Sequence, residues 1–264
     1  MHRFEELREI LREQFEFREL LYQIAARDLL LRYKQTAMGF AWALLTPALN
    51  TVVFSVVFMR VARVETRVPY PLFAYTGLVV WTFTASALRF AVVSLTANTT
   101  LVTKVYFPRE IFPFSAIVVS LVDSAVATLP VFGMMAYYHI APGATIALLP
   151  FLVIVQSAFT AVLALALSMA NLFYRDVKYL FEVVLTVWMF ASAVVYPVDG
   201  VGGLSGAIMR ANPMTAIVDA YRNIALYGRP PDPAFAWVAA ATLVALPSVW
   251  IFFHRNEFQF AERI

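Results

Sequence analysis

The sequence predicts an all-α integral membrane protein with six transmembrane helices, an N-terminal amphipathic interface helix and outer re-entrant half-helices between spans five and six. Hydrophobic residues make up 61% of the 264 residues and charged residues only 14%, against about 25% charged in ordinary globular domains. Between Asp123 and Arg175 there is no Asp, Glu, Lys or Arg. Since one helical span needs roughly 20 apolar residues, this run is long enough to cross a bilayer twice.

Hydropathy divides the chain into six predicted spans. They run over residues 39–61, 71–95, 112–138, 144–173, 177–197 and 235–254. Helices are expected because lipid forces backbone groups to pair within their own segment, and the continuous apolar runs lack the alternation of barrel strands. Pro142 and Gly143 break the chain between the third and fourth spans. The predicted organisation is a cytoplasmic amphipathic segment 1–38, a six-span domain 39–254 and a cytoplasmic tail 255–264.

The distribution of lysine and arginine predicts that both termini are cytoplasmic, because positive residues concentrate on the inner side. The predicted inner side carries Arg3, Arg8, Arg12, Arg18, Arg27, Arg32, Lys34, Lys104, Arg109, Arg175, Lys178, Arg255 and Arg263. The predicted outer side carries Arg60, Arg63, Arg67, Arg210, Arg222 and Arg229. No cleavable signal peptide precedes the first apolar run, which starts near Gly39.

The N-terminal segment has the pattern of an amphipathic helix over residues 3–33. Phe4, Leu7, Leu11 and Phe15 share one face at helical spacing, and acidic and basic residues occupy the other. The apolar stripe then drifts, which indicates a bend near Phe15. Two interpretations stay open: a helix that packs on its own protein, or one that lies in the cytoplasmic interface of the membrane. Its balanced charge argues against simple attraction to anionic lipid.

Two segments outside the spans carry their own patterns. The loop over residues 96–111 mixes charges with Val105, Tyr106 and Phe107. We interpret it as a docking element, because exposed apolar residues of this kind indicate a partner; a plain connector is the alternative. The outer segment 198–233 contains apolar pieces too short to cross, at 208–211 and 214–226, broken at Asn212-Pro213. Such pieces are candidate re-entrant or interfacial helices.

Enzymatic and metal chemistry is not indicated by the residues present. There is no GxxxxGK[ST] motif, and none of Lys34, Lys104 and Lys178 follows a glycine, so the chain has no P-loop for ATP. There is no Cys, and the three histidines are scattered, so no metal site and no cofactor are expected in this chain. A membrane-embedded glycan or lipid enzyme, or an ion pump, would need a cluster of buried ionisable groups.

Three ionisable residues lie inside the predicted spans: Arg89, Asp123 and Glu182. Asp123 lies about 16 Å into the third span at 1.5 Å per residue. A lone carboxylate at that depth costs roughly 2.5–3.5 kcal/mol, so we expect it to face the bundle and to be paired or protonated. Arg89, near the inner end of the neighbouring span, is the expected partner; hydrogen bonds from Ser or Thr hydroxyls are the alternative.

Several strings in order along the chain carry a family resemblance. They are RYKQTAMGFAW at 32–42, PREIFP at 108–113, NLFYRDV at 171–177 and Asn212-Pro213. Together they resemble the permease subunit of type-2 ABC exporters of polysaccharides, the exporters of capsule, O-antigen and teichoic acid. The resemblance covers essentially the whole chain.

The resemblance implies a homodimer that works with two copies of a separate ABC ATPase, which holds the ATP and Mg. It implies export of a lipid-linked polysaccharide across the bacterial inner membrane, with membrane lipid around it, room for a periplasmic export partner and no nucleic acid. It also implies that the N-terminal helix helps to admit the lipid-linked end, and that loop 96–111 is the coupling helix on the ATPase. The coupling residues are then Thr103, Lys104, Val105, Tyr106, Phe107, Arg109 and Glu110.

Two residue sets fit such a substrate chemically. Aromatic faces stack on pyranose rings; Phe54 and Phe58 are four apart on the first span, and Trp188 and Tyr196 are eight apart on the fifth. Packing or an interfacial belt is the alternative for each. Arg27, Arg32 and Lys34 precede the first span and suit the phosphate of a lipid-linked end, or they anchor the span on its positive side.

Two function classes remain beside the polysaccharide exporter. One is a type-2 ABC exporter of small lipophilic compounds, and neighbouring glycosyltransferase genes would favour the glycan exporter over it. The other is the membrane-embedded enzyme, which the lack of buried carboxylate or histidine clusters disfavours. The choice among capsule, O-antigen and teichoic acid, and between a phosphatidyl and a polyprenyl anchor, stays open.

Overall fold

The computed structural model describes residues 2–34, 36, 38–39, 41–104, 107–257 and 260, and the side chains of all of these except residues 2–4 and 104. Every regular element in these ranges is a helix. The helices are α1 (His2–Glu16), α2 (Arg18–Tyr33), α3 (Ala41–Ser55, continued by π-helical turns Val56–Val61), α4 (Tyr70–Ala97), α5 (Thr99–Lys104), α6 (Ile111–Tyr137), α7 (Leu149–Phe173, preceded by the 3₁₀ turn Ala144–Leu148), α8 (Val177–Ala191), α9 (Gly203–Ala211, preceded by the 3₁₀ turn Val198–Gly200), α10 (Pro213–Leu226) and α11 (Pro233–Asn256). The predicted all-α class is therefore confirmed.

Five helical segments within the described residues are long and apolar enough to cross a membrane. They are Ala41–Val61, Tyr70–Ala97, Ile111–Tyr137, Ala144–Phe173 and Pro233–Asn256, which correspond to five of the six predicted spans. At the place of the predicted fifth span, α8 has 15 residues and is about 22 Å long at 1.5 Å per residue. That is shorter than a hydrocarbon core of about 30 Å, so the predicted fifth span, and with it the total of six, stays a prediction.

Helix α4 is the centre of the bundle. It is buried along most of its length because α3, α6, α7, α8 and α10 pack around it, whereas a much smaller share of each of the other four segments is buried. Small side chains such as Ala74 and Ala91 let the neighbouring backbones approach it closely. A side chain at Gly77 would collide with the backbone of Val194 and with Arg222, so glycine is needed there for the outer segment to approach α4.

The N-terminal segment folds back on its own protein. The helix is interrupted at Phe17, close to the predicted bend, and α2 then packs beside α6 while α1 packs against α11. Ile10 and Ile24 are buried by these contacts, whereas Leu11 and Phe15 of the predicted apolar face remain exposed. The interpretation of a helix packed on its own protein therefore holds for one face. Contact of the other face with the membrane interface stays a prediction.

The outer segment contains the predicted break at Asn212-Pro213, with α9 before it and α10 after it. Asn212 caps α10, because its Oδ1 accepts a hydrogen bond from the Met214 backbone nitrogen at 3.0 Å. Its Nδ2 donates to the Ala191 carbonyl and to Ser192 Oγ, each at 3.0 Å. One side chain thus fixes the start of α10 against the end of α8.

Candidate transport site

Three of the four predicted glycan-path aromatics meet at the outer end of α3. The ring of Phe58 stacks on that of Tyr196, with centroids 6.0 Å apart, and it lies 6.1 Å from that of Phe54. Tyr70 joins the cluster, stacked 6.1 Å from Phe58, and its hydroxyl donates to the Val195 carbonyl at 2.7 Å. Sequence reasoning missed Tyr70 because it lies on the next helix and no local spacing links it to Phe58. We call Phe54, Phe58, Tyr70 and Tyr196 the outer aromatic cluster, after the outer side on which the sequence predicts this end of α3 to lie.

Trp188 lies apart from this cluster, and the predicted shared face of Trp188 and Tyr196 is wrong. Helix α8 ends at Ala191, and the chain turns through Ala193 at a φ of 50° before it reaches Tyr196. The eight-residue helical spacing therefore does not apply. Trp188 packs edge-on against Trp81 at 5.4 Å, and its Nε1 donates to Asn212 Oδ1 at 3.1 Å. Its role in the structure is to join α8 to α4 and to the outer segment.

The outer aromatic cluster borders the largest of the cavities described, at about 1130 Å³. Phe58 and Tyr196 line one side of it. The polar lining consists of Glu65, Thr66, Arg67, Asp199, Asp219, Arg222, Asn223, Tyr227, Arg229 and Asp232. The cavity thus places aromatic faces beside hydrogen-bonding side chains of both charges, a combination compatible with a pyranose, which has apolar faces and a polar rim.

Arg222 holds the wall of this cavity together. Only 1% of it is exposed. Its Nη1 donates to the Ala193 carbonyl at 3.0 Å and to Asp219 Oδ1 at 3.3 Å. Its Nη2 donates to the carbonyls of Val194 and Phe73, and the guanidinium lies 3.5 Å from the centroid of the Phe73 ring. Burial lowers the pKa of Arg222, and the neighbouring Asp219 opposes that shift. The Arg222 guanidinium therefore connects α10 to α4 and to the turn after α8.

Asp123 is paired, as expected for a carboxylate in a span, but the predicted partner Arg89 is wrong. The Asp123 carboxylate accepts hydrogen bonds from Arg32 Nη1 and, at 2.6 Å, from the Tyr33 hydroxyl. Burial, followed by the adjoining Asp123, raises the pKa of Tyr33 to about 12, so its hydroxyl stays protonated. Arg89 instead donates from Nε to both oxygens of Glu182, at 2.9 Å each. The difference arises because α2 runs beside α6 and carries Arg32 to Asp123.

The three predicted phosphate-binding residues have different surroundings in the structure. Arg27 donates to Asp28 at 2.8 Å and to Asn98 at 3.0 Å, and Arg32 is engaged with Asp123 and lies 3.8 Å over the Phe90 ring. Lys34 is exposed. Arg27 and Arg32 line one cavity of about 520 Å³ between α2, α4 and α6, and Arg32 also lines a second cavity, of about 380 Å³, with Arg89, Asp123, Tyr33 and Trp42.

The loop between α4 and α6 is only partly a surface element. The short helix α5 exposes Thr99, Thr100 and Thr103. The predicted exposure of Phe107 is wrong: it is 4% exposed, and it packs edge-on against Phe112 at 5.5 Å. The reason is that the end of α11 covers this part of the loop. Val105 and Tyr106 lie outside the described residues, and of Lys104 only the backbone is described.

Arg109 and Glu110 are buried as well, so they do not form an open docking surface. Arg109 Nη1 donates to the Glu257 carbonyl at 2.7 Å, and Glu110 Oε1 lies 3.0 Å from His254 Nδ1 in a hydrogen bond. Burial, with Glu110 adding to it, raises the pKa of Glu257, against the opposing effects of His254 and Arg109. Glu110, His254 and Glu257 place one ligand-type atom each within 4.8 Å of one another, a grouping that their distance in sequence conceals.

Five long apolar helical segments, with α4 buried among its neighbours and the short helix α5 between α4 and α6, are typical of a multi-pass membrane protein. The chain belongs to the ABC-2 type transporter family, whose model matches residues 19–226. It is thus a multi-pass inner-membrane protein and a transport subunit, and the resemblance seen in the sequence is confirmed.

One relative with a named role covers nearly the whole chain, and two more cover about four fifths of it. A protein of Myxococcus xanthus named O-antigen export system permease protein RfbA is 31% identical over 263 residues, which cover 97% of this chain and 99% of the relative. Two proteins of the same name from Klebsiella pneumoniae are each 27% identical over 80% of this chain and 81% of their own length. The similarity therefore extends over α1 to α11 in the first case.

Proposed function

We propose that this chain is the transmembrane subunit of an ATP-driven exporter that moves a lipid-linked polysaccharide of the O-antigen or capsule type across the bacterial inner membrane. The observation that carries the proposal is similarity to an O-antigen export permease over 97% of the chain. The outer aromatic cluster, at the edge of the polar cavity of about 1130 Å³, supplies stacking surfaces and hydrogen-bonding groups for a sugar chain.

The working unit in this proposal is a homodimer with two copies of a separate ATPase, in a six-span topology with both termini cytoplasmic. The contact between the two copies lies on the apolar faces of α3 and α8, where Val52 and Val53 on α3 and Leu180, Val183 and Val187 on α8 are exposed. Helix α8, with the turn that follows it, is the sixth crossing. The exposed threonines of α5 form the coupling surface for the ATPase, and Arg27, Arg32 and Lys34 receive the phosphate of the lipid-linked end.

Reconstitution tests the proposal directly. The purified chain alone in proteoliposomes is expected to hydrolyse no ATP, because it has no P-loop. With its ATPase subunit it is expected to move a lipid-linked glycan in an ATP-dependent manner, measured as protection of the glycan from an added glycosidase. ATP turnover by the chain alone contradicts the transport-subunit assignment. ATP-dependent movement of lipophilic dyes without any glycan movement favours the small-compound exporter.

Phe58 should contribute to the movement of the glycan rather than to assembly alone. We expect Phe58→Ala to lower export severalfold, since an aromatic contact contributes about 0.5–1.5 kcal/mol beyond its area, and Phe58→Trp to retain most of it. Export per permease in the membrane is the measurement. The control is Phe252→Ala, an exposed aromatic on α11 away from the cluster, which should export normally. Equal export by both alanine variants removes Phe58 from the path.

A further inference from the structure

The segment that follows α5 is bonded to the last turn of α11 by buried polar contacts. Arg109 Nη2 donates to the Val102 carbonyl within α5 at 3.3 Å, and its Nη1 donates to the Glu257 carbonyl at 2.7 Å. The backbone nitrogen of Arg109 also donates to Glu257 Oε2 at 3.4 Å, and Glu110 bonds to His254 at 3.0 Å. One arginine thus connects the coupling surface to the end of the last span.

Separating these buried polar groups costs free energy. Glu110 is 0% exposed and Glu257 is 2% exposed, and removing one partner from a buried charge leaves the other without compensation. Apolar packing encloses the same region, because Val102 and Phe107 lie in one buried cluster with Phe253 and Phe260. Dense packing of this kind transmits displacement instead of absorbing it. Helix α5 and the end of α11 should therefore move as one body.

The same turn of α11 also holds the N-terminal helix. Arg255 Nε and Nη2 donate to the two carboxylate oxygens of Glu6, each at 2.7 Å. This bidentate geometry fixes the relative orientation of the two side chains as well as their distance. The buried Ile10 adds an apolar contact of α1 close by. Three separate parts of the chain thus meet at His254, Arg255 and Glu257: the segment that follows α5, the end of α11, and α1.

We propose that the last turn of α11, residues 254–257, is a joint that carries displacement of α5 by the ATPase to the N-terminal helix α1. Arg109 and Glu110 receive the displacement, and Arg255 passes it to Glu6. These are positioning residues, since they act on other helices and do not touch substrate. The inference gives a mechanical function to residues for which the sequence indicates only the end of the last span and the start of a cytoplasmic tail. It rests on the proposed function, because it assumes that an ATPase docks on α5.

A charge exchange at the exposed end of the joint tests it in the complex of the permease with its ATPase. Glu6→Arg and Arg255→Glu, each alone, should lower the glycan exported per ATP hydrolysed by roughly fivefold or more, the lower end of typical coupling between sites. Glu6→Arg with Arg255→Glu should restore it. The matched control exchanges Arg12 and Glu16, an exposed pair 3.0 Å apart within α1 alone, and should change nothing. Single variants with normal export per ATP overturn the joint.

Replacing the Glu6–Arg255 ion pair by a covalent link distinguishes transmission of displacement to α1 from an effect on the stability of the protein. The chain has no Cys, so Glu6→Cys with Arg255→Cys gives two unique thiols. Before cross-linking, this variant should show the same loss as the single charge variants. A short thiol cross-linker between the two positions should restore export per ATP, because α1 and α11 then move together again. Arrest by the cross-linker, or failure to restore, overturns the proposal.

The two proposals fail in different ways. If the proposed function is wrong, the unmodified complex hydrolyses ATP and moves no lipid-linked glycan, and the variants have no export to compare. If only the joint is wrong, the unmodified complex exports glycan, and the Glu6 and Arg255 variants export as much glycan per ATP as the unmodified complex does.

Discussion

Replacing Arg222 with methionine should destabilise the permease by about 3–5 kcal/mol, the usual effect of removing one partner from a buried charged network. The change leaves Asp219 without its cation and deprives the carbonyls of Ala193, Val194 and Phe73 of a donor. The unpaired acceptors are part of this loss, because a buried acceptor that water does not reach costs about 1–3 kcal/mol when it loses its donor. Thermal unfolding of the purified protein in lipid nanodiscs measures the loss.

The control for Arg222 is Arg210→Met. Arg210 is an exposed arginine on α9 whose Nη1 donates to the Val201 carbonyl at 3.3 Å, and its replacement should change stability by no more than about 0.5 kcal/mol. Arg222→Lys should fall between the two, because lysine retains the charge but lacks the planar fork. If Arg222→Met unfolds at the same temperature as Arg210→Met, the guanidinium does not hold the outer segment.

Breaking the pair of Arg32 and Asp123 should release α2 from α6. The two side chains are 18% and 16% exposed, so we expect Arg32→Gln or Asp123→Asn to cost about 1–3 kcal/mol, between the values for exposed and buried pairs. Hydrogen exchange of the α2 amides measures the release, and export is expected to fall with it.

A charge exchange identifies the partner of Asp123. Arg32→Asp with Asp123→Arg should recover much of the protection of α2, whereas Arg89→Asp with Asp123→Arg should not. Arg89→Gln serves as the control, because Arg89 is bonded to Glu182 and not to Asp123, and it should leave the protection of α2 unchanged. Recovery by the Arg89 exchange and not by the Arg32 exchange would contradict the pairing seen in the structure.

Local patterns in the sequence predicted those features of the structure that have a local cause. The breaks at Phe17 and at Asn212-Pro213 follow from a drifting apolar stripe and from the dihedral restriction of proline, and five spans follow from length and hydropathy. The partner of Asp123 could not be found in this way, because Arg32 is 91 residues away and reaches it only when α2 folds along α6. Phe107, Arg109 and Glu110 look like surface residues because nothing near them in sequence indicates that α11 covers them.

The same distinction between local and long-range causes applies to the residues of the candidate site. Phe54 and Phe58 were found together because helical spacing within one helix is local, even though the π-helical turns begin between them. Tyr196 lies in the cluster for a different reason than the one predicted: the chain leaves the helix at Ser192 and folds back toward α3. Neither Tyr70 nor the cavity beyond it has a signature in the sequence, since both arise from the meeting of helices.

The burial of α4 also constrains how the protein is made. Helix α4 leaves the ribosome and enters the bilayer before α7 has been synthesised, yet Gln156 of α7 donates to the Val80 carbonyl at 2.8 Å and to Thr84 Oγ1 at 3.0 Å. Until then these groups face lipid or the insertion machinery. The second span inserted therefore reaches its final environment late in synthesis, and in a nascent chain that stops after α6 the Thr84 hydroxyl still lacks its partner on α7.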